Sequence, residues 1–540
     1  MFKGSEVLTT WRMEELLEYN PSLSPNTSEP IVYHEPSNRS AWPDDESSRN
    51  AEKYLTEKKQ IKVPWRYGDS FGDDFKVIGL RAGGCGVVFF VESTKFGTRR
   101  LYAAKTLRKF LEKDCLSKST YEQKQIADAF LEEALPWLEM GRHANIVAVH
   151  LLKSIIHPET KRSVPFVFSE FMVHGSLLDL IKMKGKLSFK ETIVLGIQLC
   201  EGLLHTYEHG SLSAHRDLKP DNVMVYRDGV YKVTDFSSGV LGTPGYMATE
   251  QVAAGYGIGG KTIDHRTDQF AIGLIMHDAI VGNLYDEQIK RMRHVRSNPE
   301  RFIDKGFEGV LSGGLSEPLK EIVSRCLKPE SKGRYDNLSL LREDLLKAYG
   351  DGYQSPKVEI DDSPEWWFYR GLSFCELGRY VAAETPLKES LKRYQTTPGT
   401  EIDQAICLMN LGSVYWSTGK FIEAEGKYEE ALCSFRQIPG TEIDQARCLM
   451  NLGSVYESTG KFIEAEGKYE EALSIHRQIP GTEIEQARCL MGLGFLYYEI
   501  QKLDAARRVV DESLRICEQY PLGTERIKEG CLEILGKLKE

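Results

Sequence analysis

Paired cysteines, long apolar runs and an excess of positive charge are all missing from this 540-residue chain, and each absence removes a class of explanation. No stretch has the ~20 consecutive apolar residues that a bilayer-spanning helix needs. The opening MFKGSEVLTTWRMEELLEYN breaks any signal-peptide core with charges, so no membrane span and a cytoplasmic location are expected. The 11 cysteines are scattered without a Cys-x-x-Cys pair, which argues against both a disulfide framework and a zinc site. A formal net charge of −10 sets nucleic acid aside as the main partner, because gripping phosphate backbones takes surplus Lys and Arg. What is present is an ordinary globular composition, 41% hydrophobic and 27% charged, in a chain too long for one core.

The character of the chain changes along its length. Residues 1–65 are rich in Ser, Pro, Asn and charge (PSLSPNTSEP, PSNRSAWPDDESSRN) and read as a flexible arm, with one short amphipathic segment at 11–19. Between 66 and 168, DDFKVIGL, GVVFFVES, RRLYAAKTL and SVPFVFSEF predict strands, interrupted by one helix around Ala127–Met140. A short connection, 169–175, leads into 176–350, where helical periods dominate, as in TIVLGIQLCEGLLHTYEH. A strand-rich lobe followed by a helix-rich lobe is an α+β arrangement with a cleft between them. Residues 351–363 form a polar linker.

Beyond the linker, from 364 to 540, the sequence repeats every 41 residues. PGTEIDQAICLMNLGSVY begins at Pro398, and close copies begin at Pro439 and Pro480. Leu411, Gly412, Tyr415, Ala424, Tyr428 and Ala431 recur as Leu452, Gly453, Tyr456, Ala465, Tyr469 and Ala472, at offsets that place them on facing sides of two antiparallel helices. Cys407, Cys448 and Cys489 share one repeat position and read as buried thiols. The frame resembles the tetratricopeptide repeat, in the lengthened form seen in kinesin light chains; HEAT-like pairs of similar length lack it. The resemblance implies an all-α solenoid that binds protein or peptide partners.

The strongest chemical signal is His215-Arg216-Asp217-Leu218-Lys219-Pro220-Asp221-Asn222, followed by Val233-Thr234-Asp235-Phe236. Phosphoryl transfer from ATP needs a carboxylate to orient the attacking hydroxyl, a cation beside the moving phosphoryl group, and oxygen ligands for Mg²⁺. Asp217 and Lys219 answer to the first two needs, Asn222 and Asp235 to the third. Here residues 66–350 resemble the protein kinase superfamily, and the Lys-Pro-Asp-Asn wording resembles its Ser/Thr branch.

That resemblance implies roles for further residues. Lys105, in Ala103-Ala104-Lys105, would hold the α- and β-phosphates, and Glu133 (or the adjacent Glu132) would pair with it. Phe168 to Met172 would be the interlobe hinge, with the backbones of Glu170 and Met172 on the adenine and Ser169 as a small gatekeeper. Val88, Ala103 and Met224 would sandwich the ring, with Ser176 at the edge of the site. Arg81, Gly83, Gly84 and Gly86 align with the glycine-rich phosphate loop, although Arg81 replaces its first glycine and either crowds the loop or adds charge there. Ser237 and Thr249 stand where the family usually carries glycine and proline. Glu250 and Arg334 would form a structural ion pair, and Asp268 would hold the catalytic-loop backbone. Arg216 beside Asp217 implies control by a phosphate on Ser237, Ser238 or Thr243.

The expectation is a bilobal α+β kinase fold followed by the repeat solenoid: an ATP- and Mg²⁺-dependent Ser/Thr kinase whose repeats recruit protein substrates or regulators. A pseudokinase, or a scaffold in which the repeats are the whole function, is the alternative. The departures at Arg81, Ser237 and Thr249 favour it; Lys105, Glu133, Asp217, Asn222 and Asp235 oppose it.

Overall fold

The computed structural model describes residues 45–540 apart from 60, 83–85, 95–98, 113–114, 116–119, 173, 211, 227–228, 237–241, 259–261, 283, 309–313, 357–362, 522–523 and 539–540. The amphipathic segment at 11–19, Gly83, Gly84, Cys85, Ser237 and Ser238 therefore lie outside the described residues. The chain divides into two compact units, one of Met1–Leu151 with Val164–Ile360 and one of Leu152–Ser163 with Asp361–Glu540.

The first unit departs at once from the expected arm. Helix α1 (Asp45–Lys53) and the turn after it are packed: Ala51, Leu55, Ile61, Val63 and Trp65 are all buried. The Leu80 N–H donates to Ser48 Oγ at 3.1 Å. These apolar residues follow no regular period, so no hydropathy pattern marks them in the sequence. Trp65 meets Phe71, Phe89 and Phe166 edge-on at 4.8, 5.5 and 5.7 Å, forming an aromatic core on one face of the sheet.

That sheet has six strands in the order β1-β2-β3-β4-β6-β5: β1 (Ser70–Phe71), β2 (Phe75–Ala82), β3 (Gly86–Ser93), β4 (Arg100–Leu107), β5 (Val149–Ile156) and β6 (Ser163–Glu170). In β3, Val87, Phe89 and Val91 are buried while Val88 and Phe90 are half-buried. This period of two gives the sheet a core face and a face left for other use. Helix α2 (Thr120–Glu139) buries Leu131, Ala134, Leu135 and Leu138 at i, i+3, i+4 and i+7.

The helical lobe follows: α3 (Leu177–Lys184), α4 (Phe189–His209), the two-stranded β7 (Val223–Val225) and β8 (Tyr231–Val233), then α5 (Thr249–Gly255), α6 (His265–Val281), α7 (Leu284–Ser297), α8 (Pro299–Lys305), α9 (Leu319–Cys326) and α10 (Leu338–Tyr349). Ser176 and Ser188 cap α3 and α4 in reciprocal capping boxes with Asp179 and Glu191. Thirteen successive residues of α6, Thr267 to Ala279, are buried, so this helix is the lobe's central post.

In the second unit α11 (Pro364–Glu376), α12 (Tyr380–Gln395), α13 (Glu401–Ser417), α14 (Phe421–Arg436), α15 (Glu442–Ser458), α16 (Phe462–Gln478), α17 (Glu483–Glu499) and α18 (Leu503–Gln519) form four antiparallel pairs, closed by α19 (Glu525–Lys537). A Cβ added to Gly412 would lie 2.8 Å from the Tyr428 ring, and one on Gly453 would lie 2.8 Å from Tyr469. The small residue lets each pair approach and the ring fills the space, as the repeat frame implies. Gly378, Gly419 and Gly460 turn the chain between helices at φ of 69°, 75° and 74°. Gln501 takes the fourth such turn at φ 60°, a conformation unfavourable for a residue with Cβ. Lys420, Lys461 and Lys502 reach back to Glu384, Glu425 and Glu466 at 2.9, 2.8 and 3.0 Å, one pair per junction. Cys407, Cys448 and Cys489 are fully buried. The Leu152 N–H donates to Ser373 Oγ at 2.8 Å and the Ser154 N–H to Glu376 Oε1 at 3.1 Å.

Candidate active site

The roof of the cleft is one row of the sheet. Arg81 pairs across strands with Val88, and Val88 with Lys105. Cross-strand partners project to the same face, so all three side chains share the half-buried face, with Ala103 two residues from Lys105. Gly86 lies against the lysine stem: a Cβ there would sit 3.3 Å from Lys105 Cε. The Lys105 ammonium pairs with Asp235. Burial pushes the Asp235 carboxyl up, but Lys105, His215 and Lys219 outweigh it and hold the pKa below the ordinary carboxylate value.

The hinge strand brings Ser169 and Glu170 to the rear of this row, where Ala103 pairs with Ser169 and Tyr102 with Glu170. Glu170 accepts two 2.8 Å bonds from Lys232, a lysine only 3% exposed whose ammonium also lies 4.6 Å from the Tyr226 ring centroid. The Glu170 N–H donates to the Ala148 carbonyl at 2.8 Å. Met172 follows, buried. Below, Met224 of β7 forms an isolated bridge with Ser176, so the residue expected under the ring and the one expected at the edge of the site are neighbours. Ser176 in turn holds Asp179, donating to its carboxylate from N at 3.0 Å and from Oγ at 2.8 Å.

At the centre stands Asp217. Its Oδ1 accepts from Thr243 N and Thr243 Oγ1, both at 2.8 Å. Its Oδ2 accepts from Lys219 Nζ at 2.7 Å and Asn222 Nδ2 at 3.3 Å. Lys219 Nζ also donates to Thr243 Oγ1 at 2.8 Å. Asn222 Nδ2 donates to the Asp217 carbonyl at 2.8 Å, which commits the amide nitrogen and turns the oxygen elsewhere. The loop is held from below by Asp268, buried in α6, which accepts from His215 N at 2.6 Å and Arg216 N at 3.0 Å. Arg216 has φ 71° and Asp235 φ 70°, backbone strain of the kind that clusters at functional sites. A Cβ on Gly242 would meet the Arg216 carbonyl at 2.4 Å, so the chain returning toward Asp217 passes at glycine range. Phe236 is buried between His215 and Trp137, at 4.7 and 5.9 Å.

The segment carrying Thr243 is anchored twice. Glu250 and Arg334 form the expected pair, at 2.7 and 2.9 Å, fully buried. Thr249 is the first residue of α5, where a backbone N–H has no intrahelical partner, and its hydroxyl donates to the Pro329 carbonyl at 2.5 Å. The hydroxyl thus makes a tie that proline could not. A second buried pair was not legible in the sequence: Arg291 of α7 grips Asp278 of α6 at 2.7 and 2.6 Å, while Tyr246 OH donates to Asp278 at 2.6 Å and Arg291 Nε to the Gly245 carbonyl at 3.0 Å.

Asp217, Lys219, Asn222, Asp235 and Lys105 are brought together; Glu133 is not. It lies on the exposed face of α2, because Leu131, Ala134 and Leu135 take the buried face, and Lys105 pairs with Asp235 in its place. Arg81 reaches neither Lys105 nor Asp235: its Nη2 lies 3.0 Å from both carboxylate oxygens of Asp179.

A two-lobed fold whose cleft sets a carboxylate, a lysine and an asparagine beside a second lysine–aspartate pair is the architecture of a phosphotransferase. The protein kinase domain model matches residues 75–346, and the tetratricopeptide repeat model matches 363–437 and 444–519. The chain belongs to the protein kinase family and carries tetratricopeptide repeats after its kinase domain. Similar proteins include the serine/threonine-protein kinase PknB of Mycolicibacterium smegmatis, 25% identical over 243 residues, which are 41% of this chain and 36% of that one. PknB of Mycobacterium tuberculosis is 25% identical over 218 residues, covering 37% of this chain and 33% of its own. PknB of Mycobacterium leprae is 25% identical over 239 residues, covering 41% and 36%. The chain therefore spans about a third of the length of these curated relatives.

Proposed function

We propose that this protein is a serine/threonine protein kinase that transfers the γ-phosphoryl group of ATP to protein hydroxyls, with repeats that hold protein partners. The observation that carries this reading is the threonine hydroxyl of Thr243, 2.8 Å from Asp217 Oδ1 and 2.8 Å from Lys219 Nζ. A Ser or Thr hydroxyl thus fits between the carboxylate and the ammonium. Asp217 would accept the substrate hydroxyl's proton, and Lys219 would offset charge on the phosphoryl group as it moves. Lys105 would exchange part of its hold on Asp235 for phosphate oxygens, while Val88, Ala103 and Met224 close on the base and the hinge backbone at Glu170 and Met172 orients it.

Asp235 and Asn222 offer a carboxylate and an amide oxygen, a hard-oxygen pair that suits Mg²⁺, which takes one or two protein ligands and completes its shell with water and phosphate. Bound there, Mg²⁺ would neutralise phosphate charge. The cysteines among the described residues are all free thiols, and most of them are buried, in keeping with a reducing cytoplasm; no helix among these residues is long and apolar enough to cross a membrane. The test is transfer from γ-labelled ATP with Mg²⁺ to Ser- and Thr-containing peptides by the full-length protein, beside Asp217→Asn.

A further inference from the structure

We propose that Arg81 and Asp179 form a latch across the mouth of the nucleotide cleft, and that opening it limits how fast nucleotide enters and leaves. This rests on the ATP-dependent reading above. The sequence places an arginine one residue before the strand β2 ends, at a position where the resemblance calls for glycine. The register fixes where that side chain goes: Arg81, Val88 and Lys105 form one row on one face of the roof. Lys105 marks the inner end of the row, pairing with Asp235, and Arg81 marks the outer end.

The post that Arg81 meets is built independently of it. Asp179 sits in the first turn of α3, where its carboxylate accepts from Ser176 N at 3.0 Å and Ser176 Oγ at 2.8 Å. A Cβ on Gly175, itself at φ 70°, would lie 2.8 Å from Asp179 Oδ2, so the loop runs tight against the carboxylate. Asp179 is only 10% exposed and Arg81 30%. Ser176 bridges to Met224, which puts this fixed carboxylate at the edge of the floor. The arm hangs from the roof strand, and its Nη2 is shared between both oxygens at 3.0 Å. Roof and floor are thus tied at the open end of the cleft by a charge-assisted contact. A nucleotide passing between Val88 and Met224 must go through this opening, so the tie is broken on entry, re-formed around the bound nucleotide, and broken again on release.

Because Asp179 also caps α3, the variants are chosen to spare the cap: Arg81→Met, Arg81→Lys, and Asp179→Asn, which keeps an oxygen acceptor for Ser176. Each is mixed with Mg²⁺ and ATP bearing a fluorophore on its γ-phosphate, then chased with unlabelled ATP in a stopped-flow instrument. Release from Arg81→Met and Asp179→Asn should be about fivefold faster than from wild type, the size that a well-placed, partly exposed ion pair commands. Arg81→Lys should fall between. The double variant Arg81→Met with Asp179→Asn should be no faster than either of its two single variants, and 0.5 M NaCl should speed release from wild type but not from Arg81→Met or Asp179→Asn. Equal release rates with equal salt dependence in all four proteins, or additive effects in the double variant, would overturn the latch. Failure of wild type to bind the labelled ATP would instead sink the kinase reading on which the latch rests.

Discussion

Replacing His476 with phenylalanine should make the repeat array more stable and less sensitive to acid. His476 is 1% exposed, and among the described residues neither ring nitrogen finds a hydrogen-bond partner. A neutral imidazole carries one donor and one acceptor, and each buried polar group left unpaired costs about 1–3 kcal/mol. At the same position of the two preceding repeats stand Tyr394 and Phe435, 1% and 0% exposed, so this niche accommodates a six-membered ring. Part of the gain will be offset by the larger ring, leaving about 2 kcal/mol. That amounts to roughly thirtyfold slower amide exchange in peptides spanning α16 and α17 of the full-length protein.

The pH dependence supplies a second reading. Burial lowers the His476 pKa below its ordinary 6.5, with Arg447 and Arg488 adding to the effect and Glu485 opposing it. The unfolded chain then binds the proton more readily than the folded one, so stability is full above pH 6.5 and falls as pH drops below it. His476→Phe should flatten that fall. Faster exchange in the variant, or an unchanged slope between pH 7.5 and 5.5, would show that the buried His476 ring is satisfied in the folded protein.

Two further substitutions test the packing. Arg291→Met leaves the buried Asp278 carboxylate without its cation and should cost about 3–5 kcal/mol, seen as earlier thermal unfolding of the kinase domain; an unmoved transition would mean the pair is dispensable. Gly412→Ala should destabilise the repeats by about 1–3 kcal/mol through collision with Tyr428. Gly426→Ala, in the same repeat, where a Cβ meets nothing within 4 Å, should stabilise α14 by up to ~1 kcal/mol; the same sign for both would refute the packing account.

The catalytic loop and the repeats were legible because their signals are local. An eight-residue phrase carries Asp217, Lys219 and Asn222, and a 41-residue period carries the Gly412–Tyr428 contact. What escaped depends on distance. Lys232 and Glu170 are 62 residues apart, Arg81 and Asp179 98, and none of the four stands in a motif that names its partner. Asp278 and Arg291, 13 apart, resemble solvated charges on helices until tertiary packing buries both. Ala51, Leu55 and Trp65 were hidden by a polar surrounding composition. Glu133 shows the reverse error: a family position predicts the pairing, but the buried stripe of α2 turns that side chain outward.

The central claim is that Asp217 serves as base for a Ser or Thr hydroxyl in transfer from ATP. Its most direct test follows γ-labelled phosphate from ATP into peptide, with Mg²⁺, for wild type and Asp217→Asn, while nucleotide affinity is measured in parallel. Wild type should label Ser and Thr peptides. Asp217→Asn should bind ATP comparably and transfer at least about 10²-fold more slowly, the share a positioned base contributes. Equal transfer by both proteins, or ATP binding without any transfer by wild type, would contradict the account.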